Sequence, residues 1–271
     1  MNEFNIINKY LKPLALNNLG AYNLDDDIFY DRKKNLAISV DTYTEGVHFL
    51  FPSKPDFFVK KIVRASLSDL YCKGVKPHTY FISLGLNKKF AKDSWLKKFK
   101  SLLNLEQKKF DIKLGGGDTI YSSKLIITII TIGYSKIRPI LRNGASINDD
   151  LYVTGSIGDS FIGLNIIKKK YNFGKYNNYF KKNYYEPNLP IKIHSYLGKY
   201  ATSSIDISDG ISQDLKNICK SSNVGAFVNL DLLPLSEFCR ILIKKNKINF
   251  KNIFSKGDDY QILFTSKQNN R

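Results

Sequence analysis

The sequence is short of the residue types that most often announce a chemistry. Cys72, Cys219 and Cys239 are its only cysteines. They are odd in number and widely spaced, which supports neither a disulfide framework nor a zinc knuckle and makes a reduced, cytoplasmic setting the expectation. Histidine is as scarce, and His48, His78 and His194 make no H-x-E or paired-His zinc signature. No Gly-x-Ser-x-Gly elbow occurs, so nothing points to nucleophilic covalent catalysis. No stretch reaches the roughly 18 apolar residues of a membrane span. The opening MNEFNIINKYLKPLAL lacks the apolar core and small-residue cleavage site of a secretory signal, so neither membrane nor export is expected.

The 271 residues, 43% of them hydrophobic, are enough for a full core and for two domains. Lys and Arg number 42 against 24 Asp and Glu, for a net charge of +18. The lysine pairs are scattered along the chain, and Lys, Asn, Ile, Tyr and Phe are abundant together. The charge therefore reads as a solvated surface, and no nucleic-acid partner is expected.

The acidic residues sit in more telling places. Residues 38–49 read ISVDTYTEGVHF, where an apolar, partly β-branched run delivers Asp41 at an expected strand end. Thr42, Thr44, Glu45 and His48 then follow in a turn opened by Gly46. The same arrangement, an acid where apolar sequence meets a glycine turn, recurs in LGGGDT at 114–119 and IDISDG at 205–210. Asp25, Asp26 and Asp27 stand side by side, and a bound cation would offset their mutual repulsion. Repeated carboxylates of this kind suit Mg²⁺, which takes oxygen ligands and is usually held by one or two carboxylates plus substrate phosphate. A capping role is the alternative for any single one of them.

Residues 56–74 predict the clearest helix, with Phe57, Val59, Ile62, Val63, Leu67, Leu70 and Tyr71 on an apolar stripe, Asp56 as a cap and Gly74 at the exit. Asp69 falls near its C-terminal end, where a carboxylate opposes the helix dipole and needs a local cation. Further helices are expected within 1–19, 91–109, 189–200 and 235–245. Strands are expected at 80–86, 112–114, 125–134, 151–153, 205–207, 226–230 and 260–265, and a loop over the aromatic-rich stretch 171–188. Ser208 or Asp209 could cap the helix that follows them. The run NGASINDD marks a junction between domains 1–140 and 141–271, and the alternation favours a mixed α/β or α+β fold. The glycines of GSIGDS at 155–160 lack the Lys of a Walker motif. The chemistry left is phosphoryl transfer, which rests on positioning and charge compensation.

Read together, DDDIF (25–29), SVDTYTEGVHF (39–49), ASLSDLYCKGVKP (65–77), LGGGDT (114–119), ILRNGA (140–145), VTGSIGDS (153–160), DISDGISQDL (206–215) and KGDDYQILFT (256–265) resemble the thiamine-monophosphate kinase family. That family belongs to the ATP-binding superfamily of aminoimidazole ribonucleotide synthetase and selenophosphate synthetase. The resemblance implies a two-domain α+β fold whose N-terminal domain dimerises through its sheet into a barrel, with ATP in the cleft between domains. It implies phosphorylation of thiamine monophosphate to thiamine diphosphate with several Mg²⁺ ions and no general base, Arg142, Asp41 and Asp69 acting electrostatically. Implied Mg²⁺ ligands are Asp27, Asp41, Asp69, Asp118 and Asp206, with Asp209 on a further ion and Ser39 and Thr42 flanking the first metal loop. Val40 could offer only its backbone. Gly117, Asp118, Arg142 and Ser208 are implied ATP contacts. His48 is an implied contact to thiamine phosphate, as is Asp258, which stands at a family Glu. The implied partners are ATP, thiamine monophosphate and a second copy of the chain, with neither nucleic acid nor membrane. Family members continue past the last strand, so the C-terminal domain is expected to be shortened at its end. An active kinase, a nucleotide-binding remnant and a related ATP-dependent enzyme all remain open on that ground.

Overall fold

The computed structural model describes residues 3–52, 54–135 and 137–271. Two sheets organise the chain. The larger has strands β1 (Phe29–Asp31), β2 (Leu36–Thr44), β3 (Lys76–Leu86), β4 (Lys113–Tyr121) and β5 (Ile126–Tyr134) in the order β1-β2-β5-β3-β4. Only β3 and β4 run parallel, as expected for strands joined by a helical crossover. The smaller sheet holds β6 (Asp150–Val153), β7 (Ala201–Asp206) and β8 (Ile262–Ser266) in the antiparallel order β6-β8-β7.

The helices are α1 (Glu3–Ile6), α2 (Val59–Cys72), α3 (Asp93–Phe110), α4 (Asp159–Ile167), α5 (Asn177–Tyr185), α6 (His194–Tyr200), α7 (Ile211–Ser222), α8 (Glu237–Lys244) and α9 (Phe250–Phe254). Helix α2 lies against β2, β3 and β5 on one side and β7 and β8 on the other, so it ties the two sheets together. Its apolar stripe enters a core with Phe49, Phe58, Trp95, Phe99, Ile127 and Ile129. A second core gathers Ile157, Ile162, Phe180, Ile205, Ile218 and Leu263 around the smaller sheet.

Helices cover one face of the larger sheet and leave the other open. Burial alternates along β5, with Ile127, Ile129 and Thr131 buried and Ile126, Thr128, Ile130 and Ile132 partly exposed. On the same open face Val40 is 60% and Ile120 56% exposed. An antiparallel strand with one solvated face normally carries polar residues there, so these positions are unusually apolar.

Several sequence expectations are corrected. The N-terminal helix is one turn of α-helix over Glu3–Ile6 that continues as a π-turn over Ile7–Leu11 and a 3-10 turn over Lys12–Ala15, with Pro13 in the first turn of the last. The expected short strand 112–114 is nine residues long and runs through all three glycines to Tyr121. Gly117 is needed there because a Cβ would overlap the carbonyl of Ile82 on β3. The expected loop 171–188 contains α5, whose Phe180 and Tyr184 are buried. It packs tightly on α4 because Gly163 lets the backbone of Phe180 approach. The expected strand 226–230 is irregular over 224–229. Asp56 does not cap α2, which starts after Phe58 with no side-chain cap.

One buried ion pair ties α2 to α3. Arg64 meets Glu106 through two bonds of 2.7 and 2.9 Å and gives a third to the Pro187 carbonyl at 3.0 Å. The residues are 4% and 2% exposed. Removing one charge leaves the other buried without its counter-ion, so Glu106→Gln should cost roughly 3 kcal/mol in urea denaturation. The double change Arg64→Met with Glu106→Leu should recover most of that. A Glu106→Gln variant as stable as the parent would show that the pair contributes nothing.

Candidate active site

Alternate residues of a strand share a face, so β2 offers Ser39, Asp41 and Tyr43 together to the helix above it. Helix α2 answers with Ser66, Ser68 and Asp69. The Ser39 hydroxyl donates to the Asp69 carboxylate, and Ser68 donates to Asp206 Oδ2 at 2.8 Å. The Tyr43 and Ser66 hydroxyls meet at 2.9 Å beside Asp41 and favour its charged form. Asp206 is delivered by the end of β7. The acidic arm preceding β1 brings Asp27 to the same place, where ligand atoms of Asp27, Cys72 and Asp206 lie within 4.8 Å of one another.

The charges in this cleft are unevenly balanced. Lys73, fully buried, donates to Asp26 Oδ1 at 2.8 Å, Asp27 Oδ2 at 2.7 Å and the Ser204 carbonyl at 2.7 Å. Arg142 gives its backbone N–H to Asp26 Oδ2 at 2.8 Å and its guanidinium to Asp27 Oδ1. Burial alone would raise the pKa of Asp27, but Lys73 and Arg142 outweigh it and hold the carboxyl below the usual carboxylate range. Asp41, Asp69 and Asp206 have no Lys or Arg ion pair among the described residues. Burial and neighbouring carboxylates push Asp69 well up, and burial with Asp27 and Asp41 pushes Asp206 up to about 7. Burial also raises Asp41.

This donor set fits a hard divalent cation, since three carboxylates and the serine hydroxyls beside them are oxygen donors lacking a protein counter-charge. The Cys72 thiol does not join it, because burial pushes its pKa far up and it donates to the Asp69 carbonyl at 3.2 Å. The Nε of Arg142 is buried without a hydrogen-bond partner, a donor free for an anionic ligand.

A second cavity, of about 120 Å³, opens on the other side of Tyr43. His48 and Asp258 both line it, with Lys61, Tyr184 and Tyr260. Asp258 sits at a φ of 70° and accepts from Lys61 Nζ at 2.8 Å and from the Tyr260 hydroxyl at 3.0 Å. The Lys61 ammonium also lies 3.9 Å from the centre of the Tyr184 ring. His48 Nδ1 accepts the Thr44 backbone N–H at 3.0 Å.

The fold thus brings together Asp27, Ser39, Asp41, Asp69, Arg142 and Asp206, and separately His48 with Asp258. Other expected residues lie elsewhere. Strand β2 continues through Thr44 instead of ending at Asp41, so Thr42 projects to the opposite face and shares a 2.9 Å hydrogen bond with Thr128. Asp118 lies in the same cross-strand row, Thr42 to Thr128 to Ser83 to Asp118, and is exposed on that open face. Gly117 lies beside it on the edge strand. Ser208 and Asp209 are exposed in the loop after β7 and cap nothing. Asp214 performs that task by accepting the N–H groups of Asp209 and Gly210 at 3.2 and 3.0 Å. The Ser208 carbonyl accepts from Asp258 at 2.8 Å, which links the two loops.

Sequence reasoning missed Lys73, Ser68 and Lys61. A lysine at a helix exit reads as a solvated partner of the dipole, and only the arriving β7 strand makes Lys73 an interior charge. The available signal was the run Asp25–Asp27, whose repulsion called for a cation; the cation expected at Asp69 is not supplied by any Lys or Arg among the described residues.

Comparison with known proteins adds to this geometry. Residues 24–135 match the family model described as AIR synthase related protein, N-terminal domain. The chain is 35% identical over 279 residues to the thiamine-monophosphate kinase of Buchnera aphidicola subsp. Acyrthosiphon pisum, covering 99% of this chain and 84% of that protein. It is 32% identical over 276 residues to that of Escherichia coli strain K12, with the same coverage. Its fold matches the structure of AaThiL complexed with AMPPCP and TMP at a TM-score of 0.90 and 27% identity, over 99% of this chain and 86% of that one.

Unpaired carboxylates held together should weaken the cation-free fold. In chelator-treated protein at neutral pH, Asp69→Asn should raise stability, because it removes one member of a set of carboxylates that repel one another. The pH dependence has a definite sign. The fold retains at Asp206 a proton that the unfolded chain loses, so this stability is full below the ordinary carboxylate range and is lost as pH rises through about 7. Denaturant titrations from acid to neutral pH would test both, and an Asp69→Asn variant no more stable than the parent would refute the repulsion.

Proposed function

The chain belongs to the thiamine-monophosphate kinase family and is a thiamine-phosphate kinase; from that premise we propose that it moves the γ-phosphoryl group of ATP directly onto the phosphate of thiamine monophosphate, making thiamine diphosphate. One observation carries the reading. Tyr43 is a shared wall, with uncompensated carboxylates on one side and the His48 and Asp258 cavity on the other.

The chemistry follows from what these residues offer. A phosphate monoester has a second pKa near 6, so the acceptor oxygen is largely anionic at neutral pH and needs no general base. The obstacle is repulsion between two polyanions. Asp41, Asp69 and Asp206 would hold Mg²⁺, with Ser39 and Ser68 fixing the carboxylates by hydrogen bonds. When bound, Mg²⁺ supplies charge neutralisation for the phosphoryl groups. Arg142, with its free Nε, is the cationic side chain for ATP, and Ser208, exposed two residues after Asp206, is a further proposed ATP contact. His48 and Asp258 position the thiamine end, Asp258 being steadied by Lys61 and Tyr260. Holding donor and acceptor in line accounts for the rest of the acceleration.

The open apolar face of the larger sheet is read as a homodimer surface on which two sheets close into a barrel. Thr42, Gly117 and Asp118 face that surface or flank it, so any contact they make with ATP or Mg²⁺ belongs to the assembled dimer. Residues 1–140 and 141–271 are taken as its two domains, with Asp209 near a further ion.

Incubation with ATP, Mg²⁺ and thiamine monophosphate should yield thiamine diphosphate, followed by chromatography. Asp41→Asn and Asp206→Asn should each lower turnover by roughly 100-fold or more, the scale of losing one fixed electrostatic group, with unchanged circular dichroism. Undiminished turnover in both variants would remove the cluster from the mechanism. Because burial and neighbouring carboxylates push Asp206 up to about 7 and Asp69 well above the usual carboxylate range, Mg²⁺ binding near neutral pH should release protons. Calorimetric enthalpies should then differ between buffers of unlike ionisation enthalpy, whereas identical values would mean that the cation binds elsewhere.

A further inference from the structure

The carboxylate cleft has two electrostatically different ends. At one end every oxygen of Asp26 and Asp27 is occupied by the protein. Asp26 Oδ1 takes Lys73 at 2.8 Å and the Asp27 N–H at 2.9 Å, and Asp26 Oδ2 takes the Arg142 N–H at 2.8 Å. Asp27 Oδ2 takes Lys73 at 2.7 Å and Oδ1 takes the Arg142 guanidinium. At the other end, Asp69 accepts from Ser39 and Asp206 from Ser68, and Asp41 lies beside the Ser66 and Tyr43 hydroxyls, with no Lys or Arg ion pair to any of the three among the described residues.

Lys73 is the odd member. An ammonium has three donors and no acceptor, and all three are used here, on Asp26, Asp27 and the Ser204 carbonyl. It is 0% exposed, so it neither reaches solvent nor turns toward a ligand. Its surroundings are an oxygen cage of two carboxylates and a carbonyl, the donor set a hard cation takes. The cage is built from three distant parts of the chain: the acidic arm, the exit of α2 and β7.

We infer that Lys73 is a resident cation that stands in for one divalent ion, so that Asp27 is compensated by the protein and metal ions are recruited only at the Asp41, Asp69 and Asp206 end. This rests on the metal-assisted reading given under Proposed function. It makes Lys73 a positioning residue that fixes Asp26 and Asp27, and through Asp27 the Arg142 side chain, without touching substrate. It also sets the ion count of this chain below what its carboxylates alone would recruit.

The test is Mn²⁺ binding to the full chain, freed of metal by chelation, with free Mn²⁺ read by electron paramagnetic resonance. Lys73→Met removes the charge at nearly the same length and should bind about one more Mn²⁺ than the parent, the vacated cage being an oxygen site of the hard-cation type. Mn²⁺ should also raise the melting temperature of Lys73→Met more than that of the parent. Lys73→Arg keeps the charge and should show the parental count. Equal counts and equal Mn²⁺-dependent stabilisation in Lys73→Met and parent would overturn the inference. So would a Lys73→Met chain that stays unfolded at saturating Mn²⁺, because an ion would then not replace the ammonium. A parent that binds no Mn²⁺ at all would instead overturn the metal reading itself, an outcome distinct from either.

Discussion

Carboxylates that must stand close together in a partly dry cleft impose the constraint on which the rest of this structure depends. Two unit charges 4 Å apart at an effective dielectric of 20 repel by about 4 kcal/mol. A domain's whole stability is about 5–15 kcal/mol, so such a cluster survives only if the surrounding packing is firm or the charge is relieved. Both devices are present. Helix α2 is clamped between two sheets and buries Ile62, Val63, Leu67 and Leu70, which fixes Ser66, Ser68 and Asp69 along its polar side. Burial and neighbouring carboxylates favour the protonated form of Asp69 and of Asp206, the latter up to about 7, and Lys73 with Arg142 relieves Asp27. Surface ion pairs such as Lys97 with Asp93, worth at most about 1 kcal/mol, are small beside these terms.

The same frame explains why donor and acceptor subsites adjoin. The chain leaving β2 passes Tyr43 before His48, and Tyr43 is buried against Ser66 of α2. Its hydroxyl meets Ser66 of α2, and the residue also lines the second cavity. The loop carrying Asp258 is then held by Ser208 from β7, the strand that delivers Asp206. One helix, one strand and two linked loops therefore fix both subsites against a common wall, without any residue having to travel between them.

Much of this was legible in the sequence, and the failures have definite causes. The apolar stripe of α2 and the runs ending near Asp41 and Asp206 read correctly because local periodicity reports local burial. Position within a strand did not, since a strand assumed to end at Asp41 puts Thr42 in the same turn, whereas one continuing to Thr44 sends it to the opposite face. The three glycines from 115 to 117 read as a turn but lie within an edge strand in which Gly117 abuts the Ile82 carbonyl. Lys73 and Lys61 were invisible for another reason. A buried lysine gains its meaning from carboxylates that arrive from distant sequence, Asp26 and Asp27 for one and Asp258 for the other. No pattern within α2 encodes that.

The net charge of +18 gains a meaning from the same distribution. A polyanionic substrate sees the whole protein from afar, where basic residues outnumber acidic ones and favour approach. That attraction decays over a Debye length of about 8 Å at physiological salt. Within the cleft the sign reverses, and the carboxylates of Asp41, Asp69 and Asp206 meet an arriving phosphate with repulsion unless a cation lies between. A basic surface and an acidic cleft are thus not in conflict. On the reading proposed above, the first would favour the approach of phosphorylated ligands, and the second would make their docking depend on a bound cation.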